Sequence, residues 1–452
     1  MHRKISLISL VLLIVAAIDS IRNLPAAALF GSSLPFFFLL SAVIFLFPIS
    51  LVSAEFSSRF HEQGGVFYWV RHAFGEKIAV LSIWLQWINT MVWYPTILSF
   101  IAGTAAYLYD PELAQNKIYL TAFILVIFWS LTWLNLRGIH LSVKINSICG
   151  VLGTLLPMAL LIGLAVIWLL SGNTPQVSFA LPSFNGSNNW VSLIAIMASF
   201  LGMELAGVHV SDIANPQKNF PKALAWAVAI LLATMLFGSL SIAVVIPGQQ
   251  IHLIDGIMQT FSTFFRELGI PGAASVLPLF IVVGSVGGMI NWLISPAKGL
   301  LQAAEHQFLP IFFTKKNEHG VASRILYAQA ILVSLLCLVF ILMPNVNGFY
   351  WFLTDLSTEL YMCMYVLIFL SALKLGRPRK DSNGYRIPRG FRTLACALGL
   401  IGCALTIFVG YLPPEGIDVG STSRYFLLIL SGNILSIAPV FLLWQHKKCS
   451  VK

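Results

Sequence analysis

Five ionisable side chains stand in stretches that are otherwise apolar: Asp19, Arg22, Glu204, Asp355 and Glu359. A lone charge at the centre of a hydrocarbon layer costs about 2.5–3.5 kcal/mol, so such residues mark substrate or proton paths. Asp19 and Arg22 are three apart in Ala16-Ala17-Ile18-Asp19-Ser20-Ile21-Arg22-Asn23-Leu24-Pro25. They pair within the helix if that turn is helical. Otherwise Arg22 faces a cavity, where it would hold an acidic group. Glu204 lies in Ala198-Ser199-Phe200-Leu201-Gly202-Met203-Glu204-Leu205-Ala206-Gly207 without a partner in its own segment. It reads as a proton-sensitive gate or a substrate contact. Asp355 and Glu359 share one helix face, while Tyr361 and Tyr365 share another about 120° away. The tyrosines are assigned to the cavity, the acids to Arg22 or a polar neighbour. No metal-ligand cluster, CxxC pair or phosphate-cradling glycine loop stands out, so no metal and no cofactor is expected. This is the chemistry of binding and proton exchange, not of bond making, and no catalytic residue is assigned.

The elements that must position these residues follow from composition. Of 452 residues, 58% are hydrophobic and 10% charged, and the mean hydropathy is +0.86. Soluble proteins average about a quarter charged residues, so a soluble enzyme, a disordered chain and a fibrous protein are excluded. Apolar runs of about twenty residues fit membrane helices, not the ~10-residue alternation of a barrel. Twelve spans are predicted, near 6–30, 33–54, 78–108, 117–136, 142–170, 189–210, 222–246, 273–303, 323–343, 349–373, 391–412 and 424–445. With the N-terminus in the cytoplasm, Lys and Arg fall on the cytoplasmic side except Lys117, Arg266, Arg424 and the intramembrane Arg22. Both termini are therefore predicted cytoplasmic. The same rule accounts for the net charge of +10 without nucleic acid. It also accounts for the block Lys374, Arg377, Arg379, Lys380, Arg386, Arg389 and Arg392. The six cysteines read as reduced packing residues, and residues 1–20 as part of a retained span. Trp69, Trp93, Tyr94, Tyr350 and Trp351 are expected at the membrane interfaces. Trp84 and Trp292 are expected deeper, as packing or as lids over a substrate.

Spans one and six each combine small, polar and charged residues at mid-membrane depth. Irregular backbone survives there only beside protein or a water-filled cavity. Paired interrupted helices at matching positions in two halves point to an inverted-repeat transporter with a midplane site. A broken helix frees C=O groups on one side, which suit an ammonium, and N–H groups on the other, which suit a carboxylate. An α-amino acid carries both. The predicted division is a first five-helix repeat over 1–170, an inverted second repeat over 189–373, two further helices over 391–445 and a short cytoplasmic tail over 446–452.

Several motifs resemble a known family. Gly64-Gly65-Val66-Phe67-Tyr68-Trp69-Val70, Asn215-Pro216-Gln217-Lys218-Asn219-Phe220-Pro221 and Gly202-Met203-Glu204 resemble conserved stretches of the amino acid–polyamine–organocation superfamily. Val245-Ile246-Pro247-Gly248-Gln249-Gln250-Ile251 and Gly256-Ile257-Met258-Gln259-Thr260-Phe261 look like its bacterial glutamate/γ-aminobutyrate antiporter family. The resemblance covers nearly the whole chain. It implies an all-α membrane protein with a 5+5 inverted repeat, broken helices 1 and 6 and two extra helices. It also implies a bacterial inner-membrane location and amino acid transport, commonly by exchange. By position it implies substrate-binding roles for Ile18, Asp19, Ser20, Trp84, Glu204, Trp292, Tyr361 and Tyr365, and Arg22 and Phe200 are further substrate-binding candidates. Glu204, Asp355 and Glu359 are the candidates for proton coupling or gating. Arg22 replaces an aromatic residue of the family, Gly288 replaces an acidic one, and the chain ends at Lys452 without the family's C-terminal plug. Gly153 stands where some symporters of the superfamily carry a lysine, with Lys144 earlier in the span, which favours exchange. The alternatives are a proton-coupled amino acid symporter and a transport-dead amino acid sensor. The expected partners are amino acids, protons and the lipid bilayer.

Overall fold

Backbone groups in hydrocarbon have no water to bond and must be satisfied within the chain. Among the described residues the chain does this with helices and no strand. The computed structural model describes residues 6–60, 65–138, 143–177, 190–205, 215–305, 308, 310–342, 346–376, 385–414, 417–442 and 444.

Helix α1 (Leu7–Ile18) is capped by Ser6, whose hydroxyl accepts from the Ser9 N–H, and it stops at Asp19, where the backbone turns extended. A 3₁₀ turn over Ile21–Asn23 leads into α2 (Leu24–Ala28). Pro25 is in the first turn of α2, where a missing N–H costs least. Helix α3 (Leu34–Ser41) passes through a π-helical stretch, Ala42–Leu46, into α4 (Phe47–Arg59). Next come α5 (Val66–Phe74), α6 (Glu76–Ala106), α7 (Lys117–Leu136) and α8 (Val143–Gly150). A second π-helical stretch, Val151–Leu155, joins α8 to α9 (Leu156–Leu170). Each wide turn ends two residues before a proline, Pro48 or Pro157. A proline ring cannot donate to the carbonyl four residues back and collides with it in a regular helix, and a widened turn relieves the collision.

The chain continues through α10 (Ser192–Ala198), α11 (Pro216–Ala243), α12 (Gly256–Glu267), α13 (Leu277–Glu305) and α14 (Ser323–Leu342). It closes with α15 (Val346–Leu375), α16 (Arg389–Gly410) and α17 (Thr422–Ile437). Among the described residues, eight helices are long and apolar enough to cross a membrane. The first and sixth expected spans are not among them, because α1 stops after 12 residues and α10 after 7. About twenty residues are needed to cross. Residues 206–210, the last of the sixth expected span, lie outside the described residues.

Helix α15 packs on α5, α6 and α16, and α1 lies against α11. These inner helices bury the aromatics assigned above to the interfaces: Trp69, Tyr94, Tyr350 and Trp351 are at most 2% exposed. Trp351 meets Phe30, Trp69 meets Phe56 and Tyr94 meets Phe128. An interfacial belt requires a lipid-facing helix, and α5, α6 and α15 have protein on most sides. The five described cysteines are free thiols; Cys449 lies outside the described residues.

Two polar clips fasten the ends of these helices. Glu55 is fully buried on α4, bonds the Arg392 Nε at 2.8 Å and accepts the Ile387 N–H at 3.0 Å. At the opposite end of the chain's long helices, buried Asp255 accepts from the Tyr107 hydroxyl and the Gln115 amide, each at 2.9 Å, and pairs with His252 at 3.2 Å. The hydrogen bond to Asp255 pushes the His252 imidazole above its ordinary range, against the smaller opposing effect of partial burial. A raised native value means the clip's contribution is complete below the unfolded value and fades as pH climbs through the native one. His252→Gln is therefore expected to lower the melting temperature at about pH 5.5 and to change it little at about pH 8.5. A deficit of equal size at both pH values would show that His252 acts only by packing.

Candidate functional site

The break after α1 opens onto a cavity of about 120 Å³. One water needs about 10–15 Å³ of such space, so the cavity takes a small polar molecule or a cluster of waters. Its walls come from the break itself (Ile18, Asp19, Ser20, Arg22, Asn23), from α6, from α15, and from Gly284 to Trp292 on α13. Gly150 and Thr154, and Ala198, Leu201 and Gly202 where α10 ends, complete them. The segments read from sequence as interrupted therefore meet at one hollow.

Most polar wall groups are already bonded. The Thr90, Thr354 and Thr358 hydroxyls donate to carbonyls of their own helices. Asn89 donates to the carbonyl and hydroxyl of Ser357 at 2.6 and 2.8 Å. Of the buried polar side-chain atoms in these walls, two have no partner: Asp19 Oδ1 and Arg22 Nε. Asp19 and Arg22 do not pair with each other. The turn between them is not α-helical, so i,i+3 geometry is lost. Instead Asp19 Oδ2 accepts from the Thr234 hydroxyl at 2.8 Å. The Arg22 Nη1 donates to Thr96 and Tyr350 at 3.1 and 3.2 Å, and its guanidinium lies 5.0 Å from the centre of the Trp93 ring. Among the described residues no carboxylate pairs with Arg22, which is 3% exposed.

Glu204 stands just behind the wall. Its Oε1 accepts from the Tyr361 hydroxyl at 2.5 Å and from Gln86 at 3.4 Å, and its Oε2 accepts from the Tyr365 hydroxyl at 2.5 Å. Tyr365 also accepts the Gly202 N–H at 2.8 Å, so that backbone donor is occupied. Gly202 has φ +105, a backbone that glycine adopts without strain. Glu204 thus ties the end of the sixth segment to α15 and α6. Tyr361 lines the cavity; Tyr365 does not.

Trp292 lines the cavity and packs against Trp93, ring centres 5.4 Å apart. Trp84 lies elsewhere: its indole N–H donates to the Ser436 carbonyl at 2.8 Å. Phe200 packs edge-on against Phe38, also outside the walls. Asp355 and Glu359 do not meet Arg22, because their face of α15 turns towards α16 and α17. Asp355 Oδ2 accepts from Tyr425 at 2.5 Å and Glu359 Oε2 accepts from Asn433. Asp355 Oδ1 and Glu359 Oε1 have no partner, and both crowd the spot where a side chain on Gly410 would begin.

Two glycines shape the space. A Cβ on Gly288 would meet nothing within 4 Å, so the missing acid leaves open room. A Cβ on Gly153 would fall 2.5 Å from the Gly284 Cα, so no lysine side chain fits where the π-helical stretch after α8 passes α13. Sequence reasoning did not single out Gln86, Asn89, Thr96, Thr234, Tyr425, Asn433 or Glu55. Asn89 and Gln86, polar residues in the middle of an apolar helix, were the available signal for two of them.

A family model described as amino acid permease matches residues 5–432. An uncharacterized transporter of Legionella pneumophila is 36% identical over 99% of this chain and 97% of its own. A glutamate/γ-aminobutyrate antiporter of Lactococcus lactis is 28% identical over 99% of this chain and 92% of its own. A probable agmatine/putrescine antiporter of the same species is 24% identical over 89% and 88%.

Proposed function

Because the chain belongs to the amino acid permease family, we propose that it is an amino acid antiporter of a bacterial inner membrane, exchanging glutamate- and γ-aminobutyrate-like substrates by alternating access. The observation that carries this reading is that Asp19 and Arg22 both line one cavity without pairing with each other. A buried cation and a buried carboxylate, unpaired with each other on one small cavity, match a molecule that bears both charges. The carbonyls freed at the end of α1 add a negative pole beside Asp19. Arg22 offers a planar fork suited to a carboxylate, and the Trp93 ring lies beside it. Together they favour a substrate with an acidic group.

The reading carries a larger architecture with it: twelve spans, repeats over 1–170 and 189–373 related by inversion, two added helices over 391–445 and both termini in the cytoplasm. Glu204 would act through Tyr361, releasing or tightening the wall as the sixth segment moves. The bar to a lysine at Gly153 supports exchange. Proton-coupled symport has one observation in its favour, the unpartnered oxygens of Asp355 and Glu359, which would take a proton between them.

Proteoliposomes decide between the two. Labelled glutamate is expected to enter vesicles loaded with glutamate or γ-aminobutyrate and to stay out of empty ones. Equal entry into empty vesicles, abolished by an uncoupler, would replace exchange with proton symport.

A further inference from the structure

A long apolar furrow runs down the outside of the molecule, apart from the central cavity. Its larger part, about 770 Å³, lies between α4, α11 and α16 and has Lys222 and Tyr385 where α11 and α16 begin. A second hollow, about 390 Å³, shares Phe47, Ala225 and Val228 with it and continues along α11 to Phe237. Ala225, Ala229 and Ala233 recur at every fourth position, so a stripe of small side chains on α11, flanked by Val228, Leu232 and Leu236, forms the floor. From Lys222 to Phe237 the floor extends about 22 Å at 1.5 Å per residue. That exceeds the ~15 Å half-thickness of a bilayer core, enough for one lipid tail.

The mouth is basic. Lys222 lines it, Lys218 is exposed one turn earlier on α11, and Arg389 is exposed two residues before the lining residue Phe391. The nearby Glu55 is buried and bonded to Arg392, so it does not cancel these charges. Basic residues at the cytoplasmic end of a groove between membrane helices are the usual recognition chemistry for lipid phosphate.

We propose that this furrow is a binding site for an anionic phospholipid, with a tail along Ala225–Phe237 and its phosphate held by Lys222, Lys218 and Arg389. A second copy packed on the same alanine face by twofold symmetry would bring the two basic mouths together at one membrane level. Like charges oppose that arrangement, whereas a lipid phosphate neutralises the mouth.

The test uses the full-length protein in mixed-lipid nanodiscs with phosphatidylglycerol or phosphatidylcholine carrying a photoreactive tail, followed by peptide mapping. Phosphatidylglycerol is expected to label furrow peptides about fivefold more than phosphatidylcholine, and Lys222→Gln to remove most of that preference. Ala229→Phe, which fills the floor, is expected to lower furrow labelling by either lipid while the protein stays monodisperse. Labelling no greater than at the lipid-facing Leu435, 73% exposed, would overturn the proposal. So would a headgroup preference unchanged by Lys222→Gln, or cross-links joining two copies through Ala229.

Discussion

Under the proposed exchange, Arg22→Ala is expected to lower glutamate exchange at least about 30-fold and exchange of a neutral amino acid far less, since removing one partner of a buried charged contact costs about 2–5 kcal/mol. The side chain is 3% exposed, and its Nε has no partner on the wall of the cavity. A substrate carboxylate would meet a guanidinium already oriented by Thr96, Tyr350 and the Trp93 ring. Arg22→Lys keeps the charge but not the planar fork or the ring contact, so an intermediate loss is expected. Because Arg22 also bonds α6 and α15, each variant is compared by thermal melt. Losses equal for acidic and neutral substrates, tracking a lowered melting temperature, would assign Arg22 a structural role instead.

The second large effect lies away from the cavity. Glu55→Ala strands Arg392 in the interior, and breaking a buried ion pair from one side costs about 3–5 kcal/mol. Arg392 Nη2 already lacks a partner, and among the described residues Glu55 is the carboxylate that Arg392 pairs with. The expected result is a sharp fall in folded yield and melting temperature. Replacing both residues by leucine is expected to recover much of the loss, because two apolar side chains leave no buried charge. The Ile387 N–H would remain unpaired, so recovery is incomplete. A single variant that melts like the parent would show that the pair does not hold α4 to α16.

Much of the site was legible because a membrane makes polar residues expensive. Asp19, Arg22 and Glu204 stood out against apolar neighbours, and the Asp19-Ser20 stretch did end a helix. Glu55 gave no such signal. It sits at the end of its span, at a depth where charge is ordinarily cheap, and Arg392 was absorbed into a basic block that topology already explained. The aromatics misled for a related reason. Composition places Trp and Tyr at interfaces on average, but whether a given helix touches lipid depends on its neighbours, and α5, α6 and α15 are enclosed.

The amino-acid sequence alone determined the solvent this protein lives in, the helical class and the places where helices must fail, because hydrophobicity and backbone satisfaction are local properties read along the chain. Tertiary structure alone decided who meets whom. Asp19 found Thr234 rather than Arg22, Glu204 found two tyrosines of α15, and Asp355 and Glu359 turned to α17. Partners of buried charges come from helices distant in sequence, and rotation of each helix about its own axis, set by packing, selects among them.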